Sequence, residues 1–109
     1  MKLKELISKY ISAFNNQDLD NLRSLFDENI RLQDWEIDEK GINNVIKANQ
    51  KIFDSAPNLK VSINRQYFFG KTAFCVLKIK VNDQTSIDVV DIIEVNSIDK
   101  IISIKAYKG

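Results

Sequence analysis

The sequence predicts an α+β fold in which three N-terminal helices pack on one face of a curved, mostly antiparallel sheet. Three observations predict it. Up to about Asp54 the dominant apolar spacing is helical; from Leu59 onward apolar residues alternate at strand spacing. The gaps between those later strands are short, which favours antiparallel neighbours. Helices first and a strand meander afterwards place the helices together on one side of a sheet.

The elements follow in order. Leu3, Leu6, Ile7, Tyr10 and Phe14 form one stripe of a helix from about Lys2 to Asn15, with Tyr10 in the centre of the apolar face. Asn15-Asn16-Gln17 interrupts it, and Asp18 can cap a short second helix through Phe26, giving a helical hairpin. A strand from about Asn29 to Glu36 puts Ile30, Leu32 and Asp34 on one face. Asp38-Glu39-Lys40-Gly41 reads as a turn. The third helix runs from about Ile42 to Asp54, with Ile42, Val45, Ile46, Asn49 and Phe53 on one side, and Ala56-Pro57-Asn58 ends it. Strands follow over about Leu59 to Phe69, Lys71 to Val81, Ser86 to Val95 and Ile101 to Tyr107, separated by turn residues at Gly70, Asn82-Asp83-Gln84 and Asn96-Ser97.

Composition narrows the function. The 109 residues, 44% hydrophobic and 28% charged, fit one globular domain covering the whole chain. Sixteen basic against fifteen acidic residues leave a charge of +1, too weak a field to point to nucleic acid or an anionic membrane. No segment reaches the roughly 20 apolar residues of a membrane span, and the first residues lack a signal-peptide core. The lone Cys75 shares a strand face with Ala73, Leu77, Ile79 and Val81 and reads as a core thiol, in keeping with a reducing cytoplasm. With no histidine, a histidine base, a histidine-containing nucleophile triad and histidine-bound zinc are excluded. Gly41, Gly70 and Gly109 stand too far apart for a phosphate loop, so no nucleotide cofactor is expected. Asp18, Asp20, Asp27 and Glu28 read as caps and turns rather than metal ligands, and Arg65-Gln66-Tyr67-Phe68-Phe69 lacks the wider basic patch of a nucleic-acid surface.

What chemistry remains must use Asp, Glu, Tyr, Lys or the single Cys. In Ile87-Asp88-Val89-Val90-Asp91-Ile92-Ile93-Glu94-Val95, alternation sets Asp91 on a face with Ile87, Val89, Ile93 and Val95. An ionised carboxylate loses its hydration there, so the pattern pushes Asp91 towards its protonated, donating form. Asp34 faces inward from its own strand, and Tyr10 from the first helix needs a partner for a buried hydroxyl. Each alone is readable as structure; together they put three polar groups on one interior.

With those elements and residues in hand, the chain resembles the cone-shaped nuclear transport factor 2-like (NTF2-like) fold, and within it the ketosteroid isomerases and SnoaL-like proteins. The likeness is carried by Lys9-Tyr10-Ile11-Ser12-Ala13-Phe14, by Asp18-Leu19-Asp20, by Leu25 through Asp34, by Ser86 through Ile93 and by Ile104-Lys105-Ala106-Tyr107. The resemblance implies a cone enclosing a hydrophobic pocket, with Asp34 as the proton-moving base and Tyr10 and Asp91 as the two oxyanion donors. Such a division of labour needs one carboxyl ionised and another protonated, a separation for which ketosteroid isomerase is itself the standard example. It also implies a pocket drawing on Phe14, Trp35, Asn49, Phe53, Val89, Ile93 and Lys108. Trp35 stands where the isomerases have Pro, Asn49 where a tyrosine supports the oxyanion tyrosine, and Lys108 where an aromatic residue lines the pocket.

The expected activity is therefore isomerase-like proton transfer in a small hydrophobic ketone, without cofactor or metal. The alternatives are a SnoaL-like cyclase and a noncatalytic module that binds a small ligand or a protein. Asp88, Val90, Ile92 and Glu94 alternate to the outer sheet face, where a homodimer contact is expected.

Overall fold

The computed structural model describes residues 2–109. Helix α1 (Leu3–Asn15) leads into α2 (Leu19–Leu25), β1 (Phe26–Gln33), β2 (Asp38–Lys40) and α3 (Ile42–Ser55), followed by strands β3 (Lys60–Phe69), β4 (Thr72–Lys80), β5 (Ser86–Val95) and β6 (Ile101–Lys108). The six strands form one sheet in the order β2-β1-β6-β5-β4-β3. From β3 to β6 each strand is antiparallel to the next. Beside β6 lies β1, parallel to it, and β2 closes the edge antiparallel to β1. The sheet is curved and does not close on itself, so the expected α+β cone is what the chain forms.

The parallel seam follows from connectivity. Parallel neighbours need a long crossover, and α3 with the whole meander separates β1 from β6. Burial then follows the pleat: on β5, Val89, Asp91, Ile93 and Val95 are buried while Asp88, Val90 and Glu94 are exposed. Opposite them α1 buries Leu6, Ile7 and Tyr10, and α3 buries Val45, Ile46, Asn49 and Phe53. Each fully buried aliphatic side chain in this core, such as Ile7, Ile30 or Val45, contributes roughly 1.5–3 kcal/mol relative to exposure.

Side chains fasten the joints. Asp18 caps α2, its Oδ1 accepting from the Asn21 backbone N–H at 3.1 Å. At the end of α1, Asn15 donates from Nδ2 to the Val61 carbonyl at 2.9 Å and accepts at Oδ1 from the Val61 N–H at 2.7 Å. That amide occupies backbone groups of an edge strand and ties the helix to β3.

Asp38-Glu39-Lys40, expected to be a turn, instead forms β2, pairing Arg31 with Lys40, Leu32 with Glu39 and Gln33 with Asp38. The reversal lies one step earlier. Asp34 Oδ1 accepts from the backbone N–H of Glu36 at 2.7 Å and of Ile37 at 2.6 Å, and the Asp34 N–H donates to the Ile37 carbonyl at 2.8 Å. This Asx-type turn folds the chain back on itself. The Arg31 guanidinium then forks onto the Asp38 carboxylate at 3.1 and 3.0 Å. The turn stops β1 at Gln33, leaving Asp34 just beyond the strand, while at its other end β1 starts at Phe26, before the expected Asn29, where it pairs with Ile101 of β6. Among the described residues no helix is long and apolar enough to cross a membrane.

Candidate active site

A cavity of about 200 Å³ lies between the helices and the inner face of the sheet. Tyr10 and Phe14 reach it from α1, Leu32 from β1, Asn49 and Ile52 from α3, and Ile87, Val89 and Asp91 from β5. Asp34, Trp35, Glu36 and Ile37 border it from the β1–β2 turn. Since Trp35 and Glu36 are exposed, that turn is the solvent end of the cavity. A groove of about 670 Å³ runs along α1 and α2, lined by Lys9, Asn16, Asp18 and Lys100 among others. It is larger, but none of the buried titratable groups reaches it.

The sheet sets the position of Asp91. Its register partners are Cys75 on β4 and Ala106 on β6, its same-face neighbours are Val89 and Ile93, and it is only 7% exposed. Burial pushes its carboxyl up to about 7, and the negative charge of Asp34 adds to the effect. Tyr10, 5% exposed on the buried stripe of α1, packs against Phe14 and Phe26 with ring centroids 6.2 Å away in each case. Burial, then the charges of Asp91 and Cys75, raise its phenol well above the usual value of 10, so its proton stays on. The Cys75 thiol is pushed up to about 11, first by burial and then by Asp91. Among the described residues no protein group hydrogen-bonds the Tyr10 hydroxyl or the Asp91 carboxyl. Tyr10, and Asp91 below about pH 7, therefore border the cavity as proton donors with their donor capacity unused.

Asp34 differs in kind. It is half-buried at the end of the cavity, and its Oδ1 is already engaged by two backbone N–H groups. These bonds fix the direction of the carboxyl while the second oxygen has no protein partner among the described residues. Tyr10, Asp34 and Asp91 thus border one cavity, from a helix, a turn and a strand.

Of the expected pocket residues, Phe14, Trp35, Asn49 and Val89 line the cavity; Phe53, Ile93 and Lys108 lie outside its wall. Phe53 stands behind Phe14, edge-on at 5.0 Å. Ile93 is fully buried core, one inward position past Asp91. The Lys108 ammonium lies 5.6 Å from the Trp35 ring centre, a cation–π contact outside the cavity. The expected set lacked Leu32, Glu36, Ile37, Ile52, Leu59, Ile79, Val81, Ile87, Ile104 and Ala106, which also line the cavity. For Ile79, Val81 and Ile87 the signal was present, since they alternate onto the same faces as Cys75 and Asp91; Ile52 lies beside the predicted stripe of α3. Among the described residues no group of three or more His, Cys, Asp or Glu side chains gathers to hold a metal ion.

The SnoaL-like domain family matches this sequence over residues 7–104. The chain belongs to that family. Solved structures agree on the fold. An NTF2-like protein of unknown function from Cytophaga hutchinsonii superposes with a TM-score of 0.85 at 14% identity, covering 100% of this chain and 91% of its own. A Kribbella flavida protein provisionally described as a ketosteroid isomerase gives a TM-score of 0.86 at 16% identity, covering 98% of this chain and 77% of its own. The epoxide hydrolase/cyclase-like enzyme SalBIII, described in pyran ring formation in the polyether salinomycin, gives 0.86 at 17% identity, covering 98% and 90%. At such identities the likeness is one of fold. No curated protein matches the sequence. The SnoaL-like domain thus has NTF2-like architecture and isomerase-like and cyclase-like structural neighbours.

Proposed function

We propose that this SnoaL-like domain moves a proton next to the carbonyl of a small, largely apolar ketone. Asp34 acts as base, and Tyr10 and Asp91 donate hydrogen bonds to the oxygen on which charge develops. The observation that carries this reading is the contrast between two carboxyls bordering one cavity. Asp91 is stripped of water and pushed up to about 7, while Asp34 sits at the solvent end with its carboxyl held by backbone N–H groups.

The steps follow from that contrast. The free oxygen of Asp34 removes a proton from the carbon beside the carbonyl, and the electron pair moves onto the ketone oxygen as an enolate. Tyr10 and Asp91 stabilise that oxygen in a water-poor cavity, where one well-aimed donor is worth about 2.7–4 kcal/mol. Asp34 then returns the proton, to the same carbon for exchange or further along a conjugated system for isomerisation. General base catalysis of this kind supplies roughly 10²–10⁴-fold in rate.

The test is loss of α-proton signals from a small ketone in deuterated buffer, followed by NMR. Wild-type protein is expected to accelerate the exchange, and Asp34→Asn to slow it by roughly 100-fold or more. The amide oxygen keeps the acceptor used by Glu36 and Ile37, so the variant is expected to melt like the wild type. Equal rates for wild type and variant would overturn the assignment of the base.

A cyclase reading uses the same groups and is supported by the raised pKa of Asp91, which lets its carboxyl carry a proton below about pH 7. That acid could protonate the oxygen of an opening epoxide while Asp34 accepts the proton of an attacking hydroxyl. Turnover of a hydroxy-epoxide without ketone exchange would favour it.

A further inference from the structure

Asn49 is a buried polar wall residue whose amide the roles of Asp34, Tyr10 and Asp91 do not explain. It sits on the inward stripe of α3, is 3% exposed, borders the cavity, and its Nδ2 has no hydrogen-bond partner. A buried amide without a partner costs stability, and an aliphatic side chain of the same shape would pack there more favourably. The cavity wall it belongs to is mostly hydrocarbon, with Phe14, Ile52 and Leu59 among the lining residues. The terminal torsion of Asn is soft, so its donor end can turn toward the cavity.

We infer that Asn49 is a specificity-determining residue that donates a hydrogen bond to a second oxygen of the ligand, distinct from the reacting carbonyl. The inference rests on the proposed ketone chemistry and narrows its substrate class. The ligand is a compact molecule carrying two separated oxygen acceptors on an apolar frame. Size supports compactness: about 200 Å³ falls below the roughly 300–1,000 Å³ of clefts that hold drug-sized ligands. One end of the molecule faces Tyr10 and Asp91, and the other meets α3.

The experiment compares cyclohexanone with 1,4-cyclohexanedione, nearly equal in size and differing by one carbonyl acceptor. Affinity is read from Trp35 fluorescence, which reports on the cavity wall, and α-proton exchange by NMR. Wild-type protein is expected to bind the dione about tenfold more tightly, after the two equivalent carbonyls of the dione are allowed for, the effect of one added hydrogen bond. Asn49→Leu is expected to bring the two ketones to parity; should that variant fail to fold, Asn49→Ala serves the same comparison. A dione preference that disappears in the variant, with no exchange of either ketone, supports the recognition role while the proposed catalysis fails. Exchange of both ketones without a dione preference, or a preference that survives in the variant, overturns the role of Asn49 and leaves the catalysis standing. Failure to bind either ketone also overturns it.

Discussion

At Asp91 a buried acid exchanges conformational stability for a usable proton. Its carboxyl rises from 3.8 to about 7 on folding, so between those values the folded chain holds a proton that the unfolded chain releases. Stability is therefore lost as pH rises through that window, and the full penalty, at most about 4 kcal/mol, is present above it. Asp91→Asn is expected to raise the melting temperature at about pH 8 and to make much less difference at about pH 4, as differential scanning calorimetry can show. On the proposed mechanism the same titration limits turnover: kcat/KM should fall above about pH 7 as Asp91 ionises, and that alkaline limb should vanish in Asp91→Asn along with much of the rate. Tyr10, raised well above 10, cannot produce that limb. Cys75, buried and pushed up to about 11, should resist alkylation by iodoacetamide at neutral pH until the chain is unfolded, as mass spectrometry can follow. Asp91 was legible because one acid broke a run of β-branched residues at period two. Lys108 was not, because its position near a terminus says nothing of the cation–π contact that draws it onto Trp35.

Elements were legible where periodicity was long. The stripes of α1 and α3 and the alternation of β3 to β6 each repeat often enough to declare themselves, and all were placed within a residue or two of their observed ends. The exceptions are β1, which begins and ends earlier than expected, and β2, too short to show a period and made of Asp38, Glu39 and Lys40, residues that favour turns. Its pairing depends on the Asx-type turn at Asp34, a side chain bonding to backbone N–H groups ahead of it, which no face pattern reveals. Asp34→Ala is therefore expected to do more than remove a base: losing both acceptor bonds should destabilise the domain by about 1–3 kcal/mol in urea unfolding, whereas Asp34→Asn stays near wild type. Asn15 presents a similar case. Asn15→Ala leaves both Val61 backbone groups without their partner and should cost about 1–3 kcal/mol by the same measurement.

Over the whole molecule both sheet faces carry apolar side chains, buried on one and exposed on the other. The inner face carries the cavity; the outer face exposes a connected apolar surface in which Tyr67 pairs with Phe74, Phe74 with Ile92, and Val90 with Tyr107 across neighbouring strands. We propose that a second copy covers it, since such contiguous apolar surface is uncommon on a monomer. Sedimentation equilibrium is expected to give a dimer and Val90→Asp to shift it to monomer; a wild-type monomer at all concentrations would refute the pairing. The three polar residues of the site were readable one face at a time. The shape and size of the cavity were not, because they depend on how α3 and the β1–β2 turn close over the sheet. The parallel seam between β1 and β6 carries one more consequence. The strand that leads into Asp34 precedes α3 and the whole meander, yet among the described residues its long-range neighbour in the sheet is β6, the last strand of that meander. The helical hairpin and most of the meander can thus form while the cavity still lacks a wall; it is complete only when Ile101–Lys108 fills the gap between β1 and β5.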